Sequence, residues 1–201
     1  VKVGPNPDGI TIANERIYTA DTDGMNWPSQ STRVSVVDIN SFEFEKTITV
    51  SLNPNYIYSD SDGDVYVICM SDYSDDKSYI VQRIDAKTDE VKTDERIKAY
   101  KMTVADDIAY IMFNDYYANE VKYYKYDLKN EKLLSDNFIT DGTVVSSPNG
   151  IGVDPVTGDI YVGKSNKKNN GDVYVFSSEG KLKSQFETLP YPADFVFMTN
   201  K

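Results

Sequence analysis

Four loops of this 201-residue chain hold the side chains best suited to gripping a ligand: GMNWPSQST (24–32), SDYSDDKS (71–78), NDYYANE (114–120) and SNKKNNG (165–171). Three of them carry aromatics, Trp27, Tyr73, Tyr116 and Tyr117, set among Asn, Asp and Gln. A ring face covers an apolar patch of a planar or sugar-like ligand, and neighbouring amides and carboxylates bond its hydroxyls. Tyr100 and Tyr191, each next to the opening of a strand, are further candidates. The competing reading is structural: sixteen tyrosines in a β-rich chain reflect strand propensity, and rings in large loops pack within the loop. The fourth loop is basic, with Lys164, Lys167 and Lys168, a pattern that suits a phosphate or carboxylate and equally a solvated tip.

Two acidic motifs have the look of cation sites. DSDGD, from Asp60 to Asp64, alternates carboxylates around a glycine like the start of an EF-hand loop, but lacks the bidentate glutamate that closes one. Asp-Gly between two strands is also a hairpin pair, so a turn is the better reading. DTDG (21–24) opens a long loop, and a divalent cation, if one binds, would go to Asp21 and Asp23. No other cofactor is expected. The chain has no histidine, which removes histidine general acid/base work, Ser-His-Asp and Cys-His nucleophiles, and histidine metal ligands. The one cysteine, Cys69, lies in the apolar run VYVICM and reads as a buried thiol.

Thirty-two acidic against 21 basic residues give a net charge of −11, a field that repels nucleic acid and anionic membranes and favours neutral or cationic ligands. No apolar stretch is long enough to span a bilayer as a helix.

These loops hang on a repeat. NPDGITIANERIYTAD, NPNYIYSDSDGDVYVIC, AYKMTVADDIAYIMF and SPNGIGVDPVTGDIYVG align on Tyr18, Tyr66, Tyr110 and Tyr161, spaced by 48, 44 and 51 residues. Each unit reads as four short strands, and a period of about 40–50 residues built only of strands marks a β-propeller blade. Pro7, Pro54, Pro148 and Pro192 mark where first strands begin, Lys101 standing there in the third unit. Asp38, Asp85 and Asp127 recur on the third strand, with Ser177 in the fourth unit, and suit capping of the next turn.

The expected fold is all-β, a single partial β-propeller over residues 1–201. Its four complete four-stranded blades span about 8–50, 54–97, 100–139 and 148–188, with 189–201 as the inner strand of a closing blade. Lys2 and Val3 read as the tail of a preceding outer strand, and YPADFVFM (191–198) as an opening strand begun again. The expectation is therefore the C-terminal part of a seven- or eight-bladed propeller.

RIYTADTD followed by TRVSVVDINSFEFEKTITV resembles the YVTN-type propeller repeat, and units two and three resemble it more loosely. The fourth unit is also similar to NHL-type and lactonase-type blades. The tyrosine content, the long insertions and the closing YPADFVFM are most similar to surface-layer-like cell-surface lipoproteins of Gram-negative gut bacteria. That resemblance implies display at the cell surface or in the periplasm, beside an outer-membrane transporter, with nutrients such as a corrinoid among the ligands of some relatives. It carries no catalytic residue set.

The leading expectation is a non-enzymatic module that captures a small molecule, glycan or surface protein through its loops. A metal-dependent lactonase- or lyase-like enzyme is one alternative, motivated by the fourth unit and by Asn6, Asn55 and Asn149 at the blade openings. A structural or adhesive surface protein is the other.

Overall fold

A computed structural model describes residues 1–73, 78–115, 120–166 and 168–198. Two compact units divide the chain, Val1–Ala99 and Tyr100–Lys201. In the first unit one sheet comprises β1 (Pro7–Ala13), β2 (Arg16–Asp21), β3 (Arg33–Asp38) and β4 (Phe44–Thr49). Its second sheet comprises β5 (Pro54–Ser59), β6 (Val65–Cys69), β7 (Ile80–Ile84) and β8 (Val91–Lys98). The second unit holds β9 (Lys101–Ala105), β10 (Ile108–Asp115), β11 (Glu120–Asp127) and β12 (Lys132–Ser135), then β13 (Pro148–Val153), β14 (Ile160–Asn166), β15 (Asn169–Phe176) and β16 (Leu182–Thr188). All four sheets are four-stranded, antiparallel meanders in which each strand pairs with its neighbours in sequence. No α-helix occurs among the described residues, only a 3-10 turn at Gly24–Asn26.

Turn chemistry sets the registers. Asn14–Glu15 and Asp106–Asp107 each place two consecutive residues at positive φ, 48° and 59°, then 50° and 60°. That is the conformation of the tight hairpin turn whose twist matches its strands. The DSDGD motif is a turn as well: Gly63 sits at φ 86°, and the Asp64 N–H donates to Asp60 Oδ1 at 2.9 Å. The Asp64 carboxylate is taken by Arg83, through Nε at 2.8 Å, and by the Ala86 N–H at 2.7 Å.

The recurrent aspartates end their strands in one way. Asp38 Oδ1 accepts from the N–H groups of Asn40 and Ser41 at 3.0 and 2.7 Å, and Asp85 Oδ1 from those of Lys87 and Thr88 at 3.0 and 2.9 Å. Asp127 accepts from the Asn130 N–H at 2.9 Å, and Ser177 Oγ accepts from the Glu179 N–H at 3.3 Å. Asp154 repeats the device between β13 and β14, accepting from the Val156 N–H at 2.8 Å. These bonds favour the ionised form and hold the carboxyls of Asp38, Asp85 and Asp154 below the usual range, chiefly through the N–H groups of Ser41, Thr88 and Val156.

A depressed folded-state value means that the stabilisation is complete above the unfolded value of about 3.9 and is lost as pH falls through the lower folded values. Asparagine in all three places keeps an acceptor oxygen for the turn but cannot titrate. The triple variant D38N/D85N/D154N is therefore expected to lose less stability than the parent between about pH 5 and pH 2. Denaturant midpoints across that range check it, and equal slopes for parent and variant would sink the assignment.

In the first unit the core lies between its two sheets. Tyr18, Ala20, Val34, Val36 and Ile48 of one meet Ile57, Val65, Val67, Cys69 and Ile84 of the other. Gly9 lets them meet, because a Cβ there would lie 2.6 Å from the Asn55 carbonyl of β5. In the second unit Ile151, Val153, Ile160, Val162 and Phe176 join Tyr110, Met112 and Tyr123. The third blade is expected to run to about residue 139; β12 stops at Ser135, and Phe138 and Ile139 enter this core at 3% and 5% exposure. Beyond it the chain stays tied to β11, the Phe138 N–H donating to the Tyr123 carbonyl at 2.7 Å, while the Phe138 ring packs edge-on against Tyr110, Tyr123 and Phe176.

Residues 192–198 lie over the other face of the fourth sheet without forming a ladder strand. A Cβ on Gly150 would come within 2.6 Å of the carbonyls of Pro192 and Ala193, the relation Gly9 has to Asn55, and Tyr161 packs against Phe195 and Phe197. Lys101, where other units have proline, is 7% exposed and reaches this segment, its Nζ donating to the Ala193 carbonyl at 2.8 Å and pairing with Asp194.

Candidate functional site

The loop between β2 and β3 is braced so that its aromatic stands in solvent. The Thr22 hydroxyl accepts from the Gly24 N–H at 2.9 Å, and the Thr22 carbonyl accepts from the Ser31 N–H at 3.0 Å, which closes the loop at its base. Within it, Asn26 Nδ2 donates to Asp23 Oδ2 at 3.3 Å and to the Ser29 carbonyl at 3.2 Å. At the tip Trp27 is 65% exposed and Met25 88% exposed. Holding two large apolar side chains out of the core on a hydrogen-bonded loop is unfavourable unless something covers them.

Tyr73, in the corresponding loop of the second sheet, is 42% exposed at φ 69°. Neither Trp27 nor Tyr73 makes a ring contact among the described residues. Tyr116 and Tyr117 lie outside the described residues, as does Lys167. Tyr100 is half-buried against the core of the second unit, its N–H donating to the Met112 carbonyl at 2.8 Å, which is a packing role. Tyr191 is 52% exposed at φ 60°, a left-handed residue directly ahead of a proline, as are Asn6, Asn53 and Ser147.

The two cation candidates part company. Asp21 is fully buried and its oxygens are taken: Thr19 Oγ1 donates to Oδ1 at 2.9 Å, and Ser35 Oγ and the Gly4 N–H donate to Oδ2 at 2.5 and 3.2 Å. It braces the sheet against residues 1–5. Asp23 is half-buried at φ 50° and serves its own loop through Asn26. Among the described residues no three His, Cys, Asp or Glu side chains gather as metal ligands would. Cys69 is buried, its thiol pushed up to about 12 by desolvation, so it is poorly nucleophilic at neutral pH.

The loop between β14 and β15 holds what the sequence reading missed. A largely polar groove of about 560 Å³ is lined there by Asn166, Lys168, Asn169, Asn170, Asp172, Glu187 and Pro190. The signal in the sequence is three asparagines in the five residues 166–170, beside the lysines. Asn166 Nδ2 donates to the Asn170 carbonyl at 2.8 Å, and Asn170 Nδ2 donates to Glu187 Oε1 at 2.9 Å. The tip is thereby fixed to the end of β16.

No protein-family model matches the chain, and no curated protein matches it. Among solved structures it is similar to Kuenenia stuttgartiensis hydrazine synthase, with a TM-score of 0.63 and 14% identity over 86% of this chain and 51% of that one. It is also similar to a chain of the crystal structure of the mitotic checkpoint complex, with a TM-score of 0.59 and 9% identity over 90% of this chain and 49% of that one. The chain thus spans about half the length of these structures, and at such identities the likeness is one of fold alone. The likeness supports an all-β, β-propeller-like fold built of four-stranded antiparallel sheets.

Proposed function

We propose that the four sheets are blades of a seven- or eight-bladed propeller of the surface-layer-like YVTN kind, and that the protein is a binding module rather than an enzyme. It works at the cell surface or in the periplasm, beside an outer-membrane transporter, and captures a small molecule, glycan or surface protein through the loops joining second to third strands. The observation that carries this reading is Trp27, exposed beside Met25 on a loop braced from within. Of the two cation candidates, Asp21 is engaged by Thr19, Ser35 and Gly4 and Asp23 by Asn26, which supports a binding role for this loop over a cation site.

Trp27 is the chain's one tryptophan and so reports on its own loop. Titration with a cobalamin, neutral oligosaccharides and the periplasmic face of a purified transporter, followed by indole emission and iodide quenching, tests the reading. A bound partner is expected to shield the indole, and Trp27→Ala to weaken that partner by about 1 kcal/mol or more, as for an interface anchor. Unchanged quenching with every probe, together with unchanged retention of W27A on cells, would favour a structural or adhesive role.

A further inference from the structure

The groove between the β14–β15 tip and the end of β16 has a chemistry of its own. Its described lining offers three carboxamides, two carboxylates, one ammonium and the Pro190 ring, and no aromatic ring. Two carboxylates against one ammonium leave the described lining with one net negative charge, which disfavours a phosphate or nucleic acid and, at an open surface, holds a free cation only weakly. What fits closely spaced donors and acceptors is a ligand whose groups both donate and accept, which is the property of a hydroxyl.

The lining is also held in place. Asn166 is tied to the Asn170 carbonyl at 2.8 Å, Asn170 to Glu187 at 2.9 Å, and Gln185 Nε2 donates to Asp172 Oδ1 at 3.3 Å. Side chains fixed before binding lose less rotamer freedom on binding, which is where flexible polar tips forfeit affinity. The Asn169 carboxamide and the Lys168 ammonium make no side-chain hydrogen bond or ion pair among the described residues, so both remain available. A volume of about 560 Å³ falls within the range of small-ligand pockets.

We infer that this groove binds a neutral oligosaccharide, its hydroxyls received edge-on by Asn169, Asn170, Asp172 and Glu187. The assignment rests on the reading of the protein as a loop-face binding module and names a ligand class and place within it.

The test is titration calorimetry on the whole chain with malto-, cello-, xylo- and mannohexaose, each repeated with the N169A/N170A pair and with W27A. At least one hexasaccharide is expected to bind, and the asparagine pair to weaken it by about tenfold, the loss of two or more hydrogen bonds. E187Q, which keeps an acceptor for Asn170, is expected to retain more of the affinity than the pair. Matching thermal melts separate lost recognition from lost folding. No binding by any of the four at millimolar concentration overturns the assignment, as does an N169A/N170A affinity unchanged from the parent. Binding confined to a uronate oligosaccharide and abolished by Lys168→Ala overturns the neutral-sugar class. W27A separates the two claims: hexasaccharide binding that survives it while every probe leaves Trp27 unshielded fails the Trp27 site and keeps the groove.

Discussion

Gly180→Ala is expected to destabilise the second unit by about 3 kcal/mol, the sum of a backbone and a packing cost. Gly180 closes the β15–β16 turn at φ 79°, a conformation that costs an L-residue roughly 1–2 kcal/mol. The Cβ that alanine adds would lie 1.6 Å from the Phe138 carbonyl oxygen, so backbone must move. Movement is expensive on both sides. The Gly180 carbonyl accepts from the Thr140 N–H at 2.9 Å, the Thr140 hydroxyl donates to the Glu179 carbonyl at 2.8 Å, and the Leu182 N–H donates to Asp141 Oδ2 at 2.7 Å. Phe138 itself meets Tyr110 and Tyr123 edge-on, with centroids 5.5 Å away in both pairs. Gly142 supplies the control, because it has the same φ of 79° and nothing within 4 Å of its added Cβ. Gly142→Ala should therefore cost only the backbone component, about 1 kcal/mol. Urea unfolding of both variants decides, and equal losses would show that the contact with Phe138 carries no weight.

The contrast between the two glycines also shows where a sequence stops being readable. Strands and turns are local: the alternation in RVSVVD, the apolar run VYVIC and the Asp-headed turns all lie within a few residues, and the structure places β3, β6 and those turns where the pattern does. Gly180 and Gly142 look alike in sequence, and only a contact with Phe138, 42 residues earlier, separates them. Gly9 and Gly150 are likewise defined by a chain that crosses them from the neighbouring segment, Asn55 in one case and Pro192 in the other. Non-local backbone approach leaves no periodicity to detect.

For the candidate site, residue type was legible and placement was not. Trp27 stands out by kind, but whether a loop ring packs inward or faces water depends on bonds such as Thr22 to Gly24 and Asn26 to Ser29, which no spacing rule predicts. Tyr100 had the same claim by kind and packs against a core instead. At the β14–β15 tip the reverse holds: the sequence reads as a basic or solvated tip, and only the bond from Asn170 to Glu187, on a different strand, fixes it as a lining.

Asp21 is where the sequence pointed to a ligand and the structure supplies an internal brace. Thr19 and Ser35 face each other across β2 and β3, both buried, and a hydroxyl opposite a hydroxyl on an otherwise apolar pair of strands needs a shared acceptor. Asp21 provides it, and Ser35 Oγ in turn accepts from the Gly4 N–H at 3.2 Å. A side chain on Gly4 would collide with the carboxylate, its Cβ falling 2.3 Å from Oδ2, so the bare backbone belongs to the same arrangement. Asp21→Ala strands at least two buried donors, each costing roughly 1–3 kcal/mol, and is expected to destabilise the first unit by about 3 kcal/mol. Ser35→Ala removes one donor and keeps the acceptor, and should cost about 1 kcal/mol. With Asp21 already gone, Ser35→Ala should cost almost nothing, because the hydroxyl it removes has become a liability. A double-mutant cycle read by urea unfolding therefore predicts strong non-additivity, and independent losses at the two positions would rule the brace out. Calcium or magnesium should leave the midpoints of parent and D21A equally unmoved; stabilisation of the parent alone would return Asp21 to the cation role, since a ligand bound to the folded state raises stability by mass action.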